Sequence, residues 1–267
     1  MPSRTWTPVA LSSDAHALTG ECWRLVEAQH SYSTLKLVDS VDEQRTLEDL
    51  VEQTKPPLPP ECRGLHYLLS TPFRYGAPYP RGSRFRRAGM TAGVFYGSEA
   101  PRTAVAEMTF YRLLFFVESP DTPWPRNPAQ YTAFSAAYAT ERAIDLTSAK
   151  YSHDRVRFMH VTDYRHCQAL ADRARAAQIE ILRYAAVRDP AGRVNLALLT
   201  CRAFAKREPT AQQTWHIHLN AAGAHAVCEA PSLRITFDRA CFAADPRIAQ
   251  MRWERGGIRS WQEPWPA

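Results

Sequence analysis

Between Gly82 and Tyr111 the chain places an arginine, a tyrosine and a glutamate in three successive settings. Arg84 stands in the glycine-led run Gly82-Ser83-Arg84-Phe85, Tyr96 closes the run Gly93-Val94-Phe95-Tyr96, and Glu107 follows eleven residues later. A guanidinium is a planar fork of donors suited to phosphate oxygens. A phenol offers an apolar face with a polar tip. A carboxylate set at the edge of a core can hold a sugar hydroxyl and favour a positive charge that develops beside it. Together they match the parts of a dinucleotide such as NAD: pyrophosphate, flat ring and ribose.

The elements that must position these groups follow from the local pattern. Gly93 to Tyr96 is short, apolar and β-prone, and Gly97-Ser98 closes it, which predicts a buried strand. A helix should follow, with Ser98 as its N-cap, Glu99 at the positive end of the dipole and Pro101 in the first turn. Ala104, Met108, Tyr111 and Phe115 recur at helical spacing and mark the expected inward face. Glu107 lies about 60° from Ala104 around such a helix, on the border of that face. Each member has an ordinary alternative: Glu107 a carboxylate paired with a nearby arginine, Tyr96 a core aromatic with a wet hydroxyl. The combination carries the reading.

The segment from Thr71-Pro72-Phe73-Arg74-Tyr75 through Gly82-Ser83-Arg84-Phe85 and Val94-Phe95-Tyr96 to Ala106-Glu107 resembles the RES domain, the toxin half of a bacterial toxin–antitoxin pair. The resemblance is weaker onward to about residue 240 and leaves out roughly the first sixty residues. It implies an α+β fold like that of ADP-ribosyltransferase toxins, a twisted and largely antiparallel sheet with packed helices. It implies catalytic roles for Arg84, Tyr96 and Glu107 and substrate contacts from Arg74, Tyr75 and Asn195. The substrate would be NAD, with no separate cofactor. Cleavage of its nicotinamide–ribose bond would end on water or phosphate, or on a protein side chain as ADP-ribosylation. The implied partner is an antitoxin with an Xre-type DNA-binding domain.

One position departs from that family. The serine of its name ends a strand in Pro-Ser, followed by an Arg-Asp turn and an Asn. Here Ile181 to Pro190 reads Ile-Leu-Arg-Tyr-Ala-Ala-Val-Arg-Asp-Pro, then Asn195, which puts Ala186 at the serine. A nucleotide contact is then missing or comes from another group. A catalytically inactive domain that only binds a nucleotide or a partner stays open.

Composition bounds the rest. The 267 residues, 45% apolar and 22% charged, suffice for a sizeable core, in one domain with an extension or in two small ones. The first residues carry no apolar leader, and the run near Leu113 to Val117 is too short to span a bilayer, so a cytoplasmic protein without membrane contact is expected. The six scattered cysteines form no Cys-x-x-Cys pair and are expected as free thiols. His216 and His218 have no third ligand near them, and no metal site is expected. A net charge of +6, with Arg81, Arg84, Arg86, Arg87 and Arg102 close together, attracts phosphates, but no nucleic-acid-binding motif accompanies it and direct nucleic-acid binding is not expected.

The chain is expected to divide at Lys55 to Pro60, whose prolines cannot continue a helix. Residues 1–57 read as a small helical extension with this connector, one helix carrying Cys22, Leu25 and Val26 and another Leu47, Leu50 and Val51, separated by Ser31 to Thr34. It would pack on the main domain, form a homodimer contact or meet a partner. Residues 58–267 form the main domain. Strands are predicted at 131–138, 143–146, 179–184, 195–199, 215–219 and 233–237, and a helix at 163–177. The tail from Trp261 to Pro266 is unassigned.

Overall fold

The computed structural model describes residues 6–27, 37–74 and 82–255. Tyr75, Arg81, the segment Ser31 to Thr34 and the tail from Trp261 lie outside the described residues. The architecture is α+β, with one eight-stranded, mostly antiparallel sheet and helices against it. In chain order the strands are β1 (His16–Glu27), β2 (Phe95–Ser98), β3 (Ala129–Asp145), β4 (Ile181–Ala185), β5 (Val194–Leu198), β6 (Ala211–Asn220), β7 (Gly223–Cys228) and β8 (Leu233–Asp238). The longer helices are α1 (Val41–Thr54), α2 (Pro101–Glu118) and α3 (Arg165–Ala176).

Strand β3 is the hub. One edge pairs with β1 from His16↔Ala143 to Glu27↔Tyr131; its start also pairs with β6, and its end runs parallel to β4 at Ala143↔Ile181. Because β1 also meets β2 at Trp23↔Ser98, the pairings close a ring through β1, β2, β5, β4 and β3. Closure removes the exposed edges that an open sheet would leave. Strands β6, β7 and β8 extend from β3 outside it. Ala133, Ala136 and the other small residues of β3 let the strand be covered on both faces, while Phe134 packs edge-on to Phe95 at 6.2 Å. At Gly97 an added Cβ would lie 2.8 Å from the Cys22 sulfur, so β1 and β2 can approach only over a glycine.

The first expected helix is therefore corrected. Cys22 and Leu25 are buried at alternate-face positions of β1, an integral strand of the sheet, and not on a helical extension. Twelve residues of mixed apolar and polar type fit either period, and long-range pairing with β3 decides for the strand. The second helix is present as α1, capped by the Ser40 hydroxyl, which accepts from the Glu43 amide, and it leaves Leu50 and Val51 exposed.

Helix α2 also departs from expectation. Ala100, not Ser98, is its N-cap, and Ser98 ends β2 with its hydroxyl committed elsewhere. Its core face is Val105, Ala106, Thr109, Phe110, Leu113 and Phe116, with Ala104, whereas Tyr111 and Phe115 are about half exposed. Burial of Phe110, Leu113 and Phe116 is worth about 1.5–3 kcal/mol each. These residues pack against Trp215, Ile217 and Phe242, which fixes the rotation of the helix that carries Glu107.

Contrary to the expectation of free thiols, Cys62 and Cys201 form a disulfide, their Cα atoms 5.5 Å apart. A sequence separation of 139 hides such a pair from any reading of spacing. His216 and His218 lie half-buried on β6. Among the described residues no helix is long and apolar enough to cross a membrane.

Candidate functional site

Arg84, Tyr96 and Glu107 line one half-open cleft of about 280 Å³, together with Arg24, Ser83, Ser98, Tyr164, Tyr184, Arg188 and Asn195, among others. The volume is at the lower end for ligand clefts and would hold part of a dinucleotide, the remainder lying outside.

The arginine comes from a tight turn. Ser83 and Arg86 exchange backbone hydrogen bonds, and Gln168 on α3 donates to the carbonyls of Ser83 (3.0 Å) and Arg86 (3.3 Å). The Tyr96 hydroxyl accepts from the Phe85 amide at 2.9 Å and shares a proton with the Ser83 hydroxyl at 2.8 Å. So Tyr96 pins the turn that presents Arg84 with its tip, while its ring forms part of the wall. Arg84 is 5% exposed. Its Nη1 donates to the Phe158 carbonyl at 2.6 Å, its guanidinium lies 4.9 Å from the Tyr164 ring centre, and its buried Nη2 has no hydrogen-bond partner among the described residues.

The glutamate is held from the strands. Asn195 on β5 donates from Nδ2 to Glu107 Oε1 at 2.7 Å and accepts at Oδ1 from the Ser98 hydroxyl at 2.7 Å. This Ser98–Asn195–Glu107 line crosses from β2 through β5 to α2. Burial pushes the Glu107 carboxyl above the ordinary carboxylate range, against the opposing pull of Arg188, the Asn195 bond and Arg84. The carboxylate is thus surrounded by protein on a cleft wall that also carries Arg24, Arg84 and Arg188.

Of the residues expected at the site, Arg84, Tyr96, Glu107 and Asn195 converge. Arg74 does not. Its guanidinium donates to the Pro56 carbonyl and pairs with Glu52, so it ties the proline connector to α1 and is absent from the cleft wall. Ala186 is buried outside the cleft, and its amide and carbonyl close the β4–β5 turn with Arg193 and Asp189. The serines that line the cleft are Ser83 and Ser98, whose hydroxyls bond Tyr96 and Asn195.

Arg188, Tyr164 and Tyr184 were not foreseen. Arg188 had its signal in the Arg-Asp turn after β4, but nothing in the sequence says where that turn points. Asp189 locks it by accepting from Thr103 of α2 (2.7 Å) and from Arg193 (2.8 Å), which leaves Arg188 projecting into the cleft. Trp23 and Arg24 of β1 also reach the wall, and Arg24 donates to the Tyr96 carbonyl at 3.1 Å.

The family model for the RES domain matches residues 58–220, more than half of the chain, and β1 lies before it. No curated protein matches. Among solved structures the chain is similar to one in a crystal structure of the M. tuberculosis MbcT–MbcA toxin–antitoxin complex, with 12% identity, a TM-score of 0.44, and coverage of 77% of this chain and 90% of that one. With Arg84, Tyr96 and Glu107 inside the matched segment and on one cleft, the chain belongs to the RES domain family.

Proposed function

We propose that the chain is the toxin of a type II toxin–antitoxin system and that it depletes NAD by breaking the nicotinamide–ribose bond. The observation that carries this reading is the convergence of Arg84, Tyr96 and Glu107 on one cleft, with the carboxylate held by Asn195. In NAD the pyridinium leaves as neutral nicotinamide and takes the bonding pair of the C–N bond. The ribose carbon is left oxocarbenium-like until water or inorganic phosphate bonds to it, water giving up a proton to solvent. The protein need only orient the dinucleotide and favour the positive charge. Glu107, ionised, does the second and holds a ribose hydroxyl. Arg84 takes a phosphate oxygen on its unpaired N–H, and the Tyr96 ring bounds the pocket for the flat base. No cofactor is required. The proposed partner is an antitoxin, of the Xre type by family resemblance, that covers the cleft in the cytoplasm.

The test is purified protein with NAD labelled in the adenylate half. Release of nicotinamide with no label on protein supports depletion, and its loss in Glu107→Gln ties it to the cleft. Label transferred to protein would favour ADP-ribosylation, and no nicotinamide release by the wild-type chain would sink the enzyme.

A further inference from the structure

Two guanidiniums in the cleft each keep a buried N–H without an acceptor among the described residues. In Arg84 it is Nη2 and in Arg188 it is Nε. Arg188 is 8% exposed, and both of its hydrogen bonds leave from Nη2, to the Val161 carbonyl (3.1 Å) and to the Tyr164 hydroxyl (2.6 Å). Its flat face lies 4.1 Å from the Phe110 ring centre and 5.5 Å from that of Tyr111. The same Tyr164 whose hydroxyl meets Arg188 has its ring beneath Arg84 at 4.9 Å. One phenol therefore spaces two cations along one wall.

Buried donors of charged groups are normally satisfied, and one left bare destabilises the fold unless a ligand supplies the acceptor. Glu107 does not relieve the cost: among the described residues it makes no ion pair, and its hydrogen bond is to Asn195. Arg24, Arg84 and Arg188 thus face one carboxylate in the cleft wall. Asp189 in the Arg188 turn is committed to Thr103 and Arg193, and Asp245 to Arg247. A wall with excess positive charge, rigid through stacking and supplied with unused N–H groups, is built for an anion of more than one phosphate oxygen.

We propose that Arg188 is a substrate-binding residue that, with Arg84, clamps the pyrophosphate of a dinucleotide, and that Tyr164 is the positioning residue that sets their spacing. This assigns to Arg188 a substrate contact that Arg74, bound to Pro56 and Glu52 and absent from the cleft wall, does not make. The proposal names the substrate's recognised part and rests on the NAD reading only for the identity of the dinucleotide.

Inorganic pyrophosphate is the direct probe. It should raise the melting temperature of the full-length chain and of Glu107→Gln, and the rise should be lost in Arg188→Met and reduced in Arg188→Lys, whose single ammonium cannot fork. Tyr164→Phe, which keeps the ring under Arg84 but frees Arg188, should weaken the response. In turnover, Arg188→Met should lose about tenfold or more in kcat/KM on NAD beyond its loss on nicotinamide riboside, which has no phosphate. Equal losses on the two substrates, or a full pyrophosphate response in Arg188→Met with native circular dichroism, would overturn the clamp. Should the wild-type chain bind pyrophosphate yet release no nicotinamide from NAD, the clamp stands and the proposed reaction fails.

Discussion

Replacing Asn195 by alanine tests whether Glu107 works as a held carboxylate. The side chain is 3% exposed and makes two bonds, one to Glu107 and one from Ser98. A hydrogen bond to a charged group is worth about 1.5–3 kcal/mol. If that bond orients the carboxylate toward the developing charge, its loss slows nicotinamide release roughly ten- to hundredfold. The buried Ser98 hydroxyl also loses its acceptor, a cost of about 1–3 kcal/mol in stability and a fall of a few degrees in melting temperature. The pH profile carries the decisive sign. Asn195 favours the ionised form of Glu107, so without it a carboxyl already raised by burial rises further. Activity needs the ionised form, and the acid limb of the kcat profile must move to higher pH. Ser98→Ala should cause a smaller loss, and the double variant should fall short of the sum because both changes break one line. An acid limb that stays in place while activity falls would refute the argument, since a merely structural Asn195 would lower activity at every pH alike.

Glu107→Gln should abolish nicotinamide release and growth inhibition while making the chain more resistant to heat near neutral pH. Burial holds the folded carboxyl above its ordinary 4.5, so the native state gains from protonation at low pH and loses that gain as pH rises through the raised value; the variant's advantage in melting temperature should shrink toward pH 4. Tyr96→Phe removes the acceptor of the Phe85 amide and the partner of Ser83, about 0.5–1.5 kcal/mol each, and should raise KM for NAD by loosening the turn under Arg84, as steady-state kinetics will show. Gly93→Ala should fail to yield native protein by circular dichroism, because the added Cβ would lie 2.1 Å from the Pro72 carbonyl oxygen and 2.5 Å from the Phe73 Cα. Deleting residues 1–57 should give aggregated material by size-exclusion chromatography, because β3 loses the partner along one whole edge.

What the sequence revealed and what it hid divide along the range of the interactions. The helix of Glu107 and the strands near 131, 181, 195, 215 and 233 were legible from local period and punctuation, whereas the strand through Tyr96 was placed two residues early, at 93–96 and not Phe95–Ser98. The helical face was misjudged because Tyr111 and Phe115 are apolar enough to fill an inward stripe, yet Phe110 and Phe116 take the core and leave them at the surface. Strand β1 was hidden because Cys22, Leu25 and Val26 suit either a helix or a strand until β3 is present to pair with. The convergence of Arg84, Tyr96 and Glu107 on one cleft was legible because they lie close together in sequence. Asn195 was placed as a substrate contact but holds the glutamate. Arg74 was expected as a substrate contact because a competing carboxylate twenty-two residues earlier, Glu52, cannot be seen in spacing. Arg188 was missed for the converse reason: its direction is set by Thr103 and Arg193 acting on its neighbour Asp189.

The ring's dependence on its first strand has a consequence for synthesis. Glu27 leaves the ribosome over a hundred residues before its partner Tyr131, and β5, which holds Asn195 against Glu107, follows later still. The cleft wall cannot be complete on a nascent chain before Asn195 has been made, by which point more than two thirds of the polypeptide exists, so a binding-competent cleft is withheld from the earlier stages of translation.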